Sequence, residues 1–221
     1  MDWKRSLVWG AMLLACADAS ARKHHQDNRG EPGQFDYYAV ALSWSPSFCA
    51  SHTDPDQCGS ARQLGFVMHG LWPQYAQGYP QSCSNERLPP QVRNSYATLF
   101  PSQRMIGHEW SKHGTCSGLA PDNYFALSAK LRDQLAIPAP YQRPAAPVRV
   151  SYAQFVQSFK SVNPRLAQNA VLPFCGDGGR FLREVHACYD KGGASVSCGA
   201  SEIKRSANSC RQGSFILQSV R

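Results

Sequence analysis

The chain has 221 residues, 43% of them hydrophobic, nine cysteines and a formal net charge of +8. That length suits one domain with a sizeable core, and no run reaches the roughly 18 apolar residues that a membrane span requires. The basic balance suits a polyanionic partner, but it is also common in exported proteins that never meet nucleic acid, so charge alone decides nothing.

The N-terminus reads as an export signal. Lys4 and Arg5 precede a short apolar run, Leu7 to Ala15, and Ala19-Ser20-Ala21 offers a small-residue cleavage site. The expectation is that residues 1–21 are removed and the product is secreted or periplasmic; lipid attachment at Leu13-Leu14-Ala15-Cys16 is the alternative. Removal leaves eight cysteines, which in an oxidising compartment read as four disulfides; spacing alone leaves their pairing open. Residues 22–34 are polar, hold two glycines and Pro32, and predict a mobile arm before a single domain over 35–221.

Residues 35–44 read as a strand and 50–63 as a disulfide-closed loop. At 64–69, Leu64, Phe66 and Met68 alternate with Gly65, Val67 and His69, a strand that Gly70 ends. A Gly-, Pro- and Ser-rich loop runs to about residue 90, and a helix is predicted near 91–99. Pro101 precedes a helix over roughly 103–113, which Gly114 stops. Asp122 caps a helix to about 135, with Phe125, Leu127, Leu131 and Leu135 as its apolar face. The prolines of 138–147 make an irregular connector. Ser151 and Gln154 form a capping box for a helix to about 161, which Asn163-Pro164 ends. Short strands near 183–190, 195–199 and 213–219 follow. Clustered strands with separate helices, and no internal repeat, predict an α+β fold.

Two runs carry chemistry. The first is Phe66-Val67-Met68-His69-Gly70-Leu71-Trp72-Pro73; the second is His108-Glu109-Trp110-Ser111-Lys112-His113-Gly114-Thr115-Cys116. As a helix turning about 100° per residue, the second run gathers His108, Glu109, Lys112 and His113 on one face and turns Trp110 toward a core. A solvated helix face would look similar, although such a stripe usually alternates Glu with Lys. His108-Glu109 opens like the zinc-protease motif H-E-x-x-H, but position 112 is lysine and His113 falls at i+5, so the ligand pair is missing. No C-x-x-C pair occurs either, and no metal or cofactor is expected. Taken alone, His69 at the end of a buried strand is more often an ordinary hydrogen-bonded core residue. If that strand end meets the helix, two histidines can act as acid and base, and the lysine and third histidine can hold developing negative charge.

At these residues the sequence resembles the ribonuclease T2 family. His69-Gly70-Leu71-Trp72-Pro73 matches its first catalytic segment in full, and 108–116 matches the second. Phe35-Asp36-Tyr37-Tyr38 through Trp44 to Phe48-Cys49, Gly78 to Cys83, and Glu184-Val185-His186-Ala187-Cys188 with Asp190 and Cys198 extend the likeness over about residues 35 to 219. The resemblance implies a mainly antiparallel central sheet with helices packed around it. It also implies the pairs Cys83–Cys116, Cys188–Cys198 and Cys175–Cys210, leaving Cys49–Cys58 as a local loop.

The resemblance further implies metal-independent cleavage of single-stranded RNA. The 2′-hydroxyl attacks the adjacent phosphorus to give a 2′,3′-cyclic phosphate, which water opens to a 3′-phosphate. By match, His113 is the base, His69 the acid, Glu109 and Lys112 stabilise the phosphorane, and His108 grips phosphate. Trp72 matches the family's base-stacking aromatic, with Tyr79 as its partner. Gln74 stands where many members carry Asp, and Met105 where an aromatic is common, so broad base preference is expected. DNA lacks the nucleophile and should remain uncut, and a monomer without membrane insertion is expected. The alternative is a catalytically silent, secreted RNA-binding or toxin-like protein on the same fold. The acid–base residues argue against it, because a binder needs none of them.

Overall fold

A computed structural model describes residues 30–59 and 62–220. The predicted export signal and most of the polar arm lie outside the described residues. At the described end of the arm, Gly33 donates its N–H to the Cys116 carbonyl at 2.9 Å, and its own carbonyl accepts from Lys191 at 3.0 Å. In chain order the first elements are β1 (Tyr37–Trp44), α1 (Ser45–Cys49), α2 (Pro55–Cys58), β2 (Phe66–Gln74), α3 (Pro90–Ser95) and α4 (Gln103–Lys112). Then come α5 (Pro121–Asp133), α6 (Ala139–Gln142), β3 (Val148–Val150), α7 (Tyr152–Val162), β4 (Val171–Gly176), β5 (Phe181–Tyr189), α8 (Ala200–Ser209) and β6 (Phe215–Leu217).

The strands form one six-stranded sheet in the order β2-β1-β5-β6-β3, with β4 also paired to β5. Every pairing is antiparallel except the single parallel contact between β5 and β6. This is the expected α+β architecture. One face of β1 (Tyr38, Val40, Leu42, Trp44) enters the main core with Met68, Leu71, Phe125, Leu131, Phe155 and Phe159. On the other face Tyr37, Ala39, Leu172 and Cys188 form a smaller cluster against which Ile203 of α8 packs.

Two bulges break the strict two-residue alternation of side chains. Ala41 pairs with Gly70 but Leu42 pairs with Met68, so His69 is an extra residue on β2. Phe174 pairs with Glu184 but Cys175 pairs with Leu182, so Arg183 is extra on β5. A bulge resets which residues face which side and commonly re-aims a side chain next to a site. Here it places His69 and Trp72, an odd number of residues apart, on the same face of the sheet. The bulge also corrects the expectation that Gly70 ends the strand. Pairing continues to Gln74, because the core-facing positions shift from the partly buried Phe66 and buried Met68 to Leu71 and Pro73, which a fixed period of two cannot follow.

Other boundaries differ for local reasons. The helix over 91–99 is confined to Pro90–Ser95. Pro121 occupies the first turn of α5, where its missing N–H costs nothing, so Asp122 lies inside the helix and Ala120 is the cap. The irregular connector at 138–147 contains the short α6. The expected strand at 195–199 is one bridge, Tyr189 to Ser195, inside the loop that Cys188–Cys198 closes over 10 residues. β3, β4 and α8 were not foreseen. Pro173 discourages a strand, yet among the described residues β4 pairs only with β5, and such edges tolerate proline. The capping box at Ser151 and Gln154 forms as expected, with both reciprocal bonds present.

Four disulfides close in the pairing implied by resemblance: Cys49–Cys58, Cys83–Cys116, Cys175–Cys210 and Cys188–Cys198. Cys83–Cys116 joins the loop after β2 to the turn after α4, so it holds the two sequence runs together. Replacing both of these cysteines by alanine should lower stability by about 2–4 kcal/mol, read from the denaturant midpoint. An unchanged midpoint would show that this cross-link contributes nothing to the fold.

Candidate active site

The bulged end of β2, the last turn of α4, and β4, β5 and α8 enclose a cleft of about 390 Å³. His69, Trp72, Gln74, Tyr79, His108, Glu109, Lys112 and His113 all line it. The face predicted for the second run therefore meets the first run. Ser102 caps the start of α4, its hydroxyl accepting from the Arg104 N–H. It buries Ile106 and Trp110, and Trp110 donates its indole N–H to the Glu86 carbonyl at 2.8 Å. That anchoring turns the polar side toward the sheet.

Trp72 is the centre of the arrangement. Its indole N–H donates to Glu109 Oε2 at 2.8 Å. One ring face stacks on His113 with centroids 5.1 Å apart, while His69 at 4.9 Å and His186 at 5.1 Å approach edge-on. Gly70 makes this possible, because a Cβ there would fall 2.0 Å from Glu109 Oε2 and 2.2 Å from the Trp72 indole nitrogen.

The two histidines have opposite surroundings. His69 Nδ1 lies 2.5 Å from Glu184 Oε1, with Ser43 Oγ at 3.2 Å. Burial would lower its pKa, but the hydrogen bond and charge of Glu184, helped by Glu109, raise it above the ordinary value. His113 is 4% exposed, and its Nδ1 is the one buried side-chain nitrogen or oxygen among the described residues without a hydrogen-bond partner. Burial, then the charges of Lys112, His108 and His69, push its pKa down to about 2. Burial raises Glu109 to about 7, against the opposing pull of His69, Trp72 and Lys112. His108, at the exposed rim, is lowered by burial, Lys112 and His69.

The base-binding expectations fare unevenly. Tyr79 is 37% exposed at the mouth, 6.4 Å from the His113 ring, and free to stack on a ligand. Trp72 is engaged by His113 on one face. Gln74 is 3% exposed, and its amide N–H donates to the Pro73 carbonyl, so the amide is held rather than free to rotate. Met105 packs against the main core and does not line the cleft. It sits near the start of α4, seven residues or roughly 10 Å of helix axis before Lys112, whereas the cleft lies at the helix end.

Sequence reasoning missed Arg183, Glu184, His186, Phe174 and Arg205, which also line the cleft, together with Cys175 and Ser209. Glu184 and His186 share a strand face at alternating positions, a signal available in 183–190 that served only for the strand and the family likeness. Arg183 depended on a bulge and Arg205 on a helix that was not foreseen. Lys112, Arg183 and Arg205 give the cleft a cationic wall suited to phosphate. Among the described residues, no group of three or more His, Cys, Asp or Glu side chains is placed to hold a metal ion. Nor is any described helix long and apolar enough to cross a membrane.

Comparison with protein families matches residues 35–198 to the Ribonuclease T2 family. A ribonuclease of Aeromonas hydrophila is 42% identical over 229 aligned residues, covering 99% of this chain and 100% of the relative. An RNase-related protein from Calystegia sepium superposes with a TM-score of 0.66 at 20% identity, covering 87% of this chain and 100% of that one. A variant of RNase MC1 in complex with 5′-UMP superposes with a TM-score of 0.60 at 24% identity, over 74% of this chain and 92% of that one. At these identities the two structures speak to the fold alone.

Proposed function

This chain belongs to the ribonuclease T2 family and is a ribonuclease, and we propose that it cuts single-stranded RNA by transphosphorylation to 2′,3′-cyclic phosphates, followed by hydrolysis to 3′-phosphates. The observation that carries this reading is the pair of histidines packed on Trp72 in one cleft, His69 bonded to the Glu184 carboxylate and His113 buried with Nδ1 unpartnered, surroundings that drive their pKa values up and down respectively. Titratable groups separated in this way take the acid and base roles.

His113, neutral across the working range, takes the 2′-hydroxyl proton. His69, held protonated, gives its proton to the departing 5′-oxygen. Lys112 supplies a point charge to the phosphoryl oxygens, and His108 adds a contact at the rim. Glu109, close to half-protonated near neutrality, can donate a hydrogen bond to a phosphoryl oxygen while still holding Trp72. Tyr79 offers a stacking surface that any base can use, which supports broad base tolerance. Export through a cleaved signal and action as a monomer belong to the same reading.

His69 must be protonated, so the first step loses rate as pH rises through its raised pKa. His113 must be neutral, so it imposes no acid limb until near pH 2. The second step needs the reverse states, and a protonated His113 is scarce above about pH 2, so cyclic phosphates should accumulate. Digesting RNA with EDTA present and identifying product ends by mass spectrometry tests this. Cyclic ends should come first and 3′-phosphates later, after all four bases, with DNA left intact. Products with 5′-phosphates, cut deoxy strands, or EDTA inhibition that added zinc or magnesium reverses would overturn the proposal.

A further inference from the structure

Behind His69 a line of charged side chains runs into the protein. Glu184 accepts from His69 through Oε1 at 2.5 Å, and its Oε2 lies 2.9 Å from His186 Nε2. His186 Nδ1 lies 2.5 Å from Glu202 Oε1, which also accepts from Arg205 at 3.1 Å. The Tyr37 hydroxyl donates to Glu202 Oε2 at 3.5 Å. We propose that Glu184, His186 and Glu202 are positioning residues that fix the tautomer of His69 and retain its proton, acting through a buried carboxylate–imidazolium–carboxylate relay. This rests on the reading of His69 as the acid.

Hydrogen-bond accounting carries the argument. His186 is 1% exposed, and each of its ring nitrogens faces a carboxylate oxygen. With both carboxylates ionised, and so only accepting, both nitrogens carry hydrogen and His186 is an imidazolium. Its cation then keeps Glu184 ionised, and an ionised Glu184 makes Nδ1 the protonated nitrogen of His69. That leaves Nε2 for the cleft, as an orienting carboxylate does for the histidine of a hydrolytic triad. The shifts agree: Glu184 and Glu202 fall below the usual carboxylate range despite burial, and His186 rises to about 9.

The frame is rigid. Glu184 stands opposite Ser43 in the β1–β5 register. Cys175–Cys210 ties the end of α8 to β4, and Cys188–Cys198 ties the segment before α8 to β5, so Glu202 is set over His186. The groups that act on His69 are Ser43 from β1, Trp72 from β2, Glu109 and His108 from α4, His113 at the C-cap of α4, and Glu184 and His186 from β5. Of the two carboxylates, only Glu184 bonds to it.

The test is an NMR pH titration of the His69 ring in the wild type and in Glu184→Gln, alongside the pH profile of dinucleoside cleavage. An opposite charge within reach is worth about 1–3 pKa units. The His69 midpoint should therefore fall by at least about one unit in Glu184→Gln, with the alkaline limb of kcat/KM moving equally and Glu184→Asp partly restoring both. A nitrophenyl leaving group needs no acid, so cleavage of a uridine 3′-nitrophenyl phosphate should be far less affected. An unmoved midpoint in folded Glu184→Gln would overturn the relay. A moved midpoint with an unmoved cleavage limb would leave the relay standing and refute His69 as the acid. Should Glu184→Gln fail to fold, the wild type decides: a singly protonated His186 at pH 7 in nitrogen NMR overturns the proposal.

Discussion

Replacing His113 or His69 by alanine should each lower the rate of RNA cleavage by about 10²–10⁴-fold, the usual worth of one general acid or base. The two losses should differ in kind. His113 makes no hydrogen bond through Nδ1, so its removal costs packing on Trp72 and the base, and leaves no charge stranded. Removing His69 strips Glu184 of one partner, so some loss of stability should accompany the loss of rate. His69→Asn separates the two, because an asparagine amide can still donate to Glu184 but cannot deliver a proton in the working pH range. It should restore the melting temperature and leave the rate low. Steady-state kinetics on a dinucleoside phosphate, with thermal melts, reads both. Near-normal cleavage by His69→Asn or His113→Ala would refute the assignment.

Gly70→Ala should be comparably damaging, although it alters no reacting group. The new methyl would lie within 2.2 Å of both partners of the Trp72–Glu109 hydrogen bond. Neither can yield cheaply: Glu109 is 1% exposed on α4, and Trp72 is hemmed in by three imidazoles. Overpacking of this kind typically costs about 1–3 kcal/mol. A displacement near 1 Å at the reacting groups can cost about 100-fold in rate, and about that loss is expected in kcat. Gly213→Ala is the control, since nothing lies within 4 Å of the added carbon. Equal activity in the two variants would show that the Trp72–Glu109 contact does not set the positions of the reacting groups.

Much of the cleft follows from neighbours along the chain. Positions 108, 109, 112 and 113 share a face because helix geometry is local, and α4 forms where its spacing indicates. The capping box before α7 is equally local, since both bonds lie within three residues. Base recognition was less legible. Helical phase brings Met105 toward the Lys112 side, but phase does not say how far along the axis the cleft extends.

What the sequence determined by itself is therefore the set of reactive groups in the two runs, the helix that displays one of them, and the α+β class. Tertiary structure decided the rest. His69 and Trp72 share a face only because β1 skips a residue when it pairs with β2, and a strand's alternation cannot reveal where its partner will slip. Glu184, His186 and Glu202 meet only because α8 packs across β4 and β5 under two disulfides. Contacts within one element depend on a fixed rise and twist, whereas contacts between elements depend on how separate surfaces bury apolar area together, which no single segment encodes.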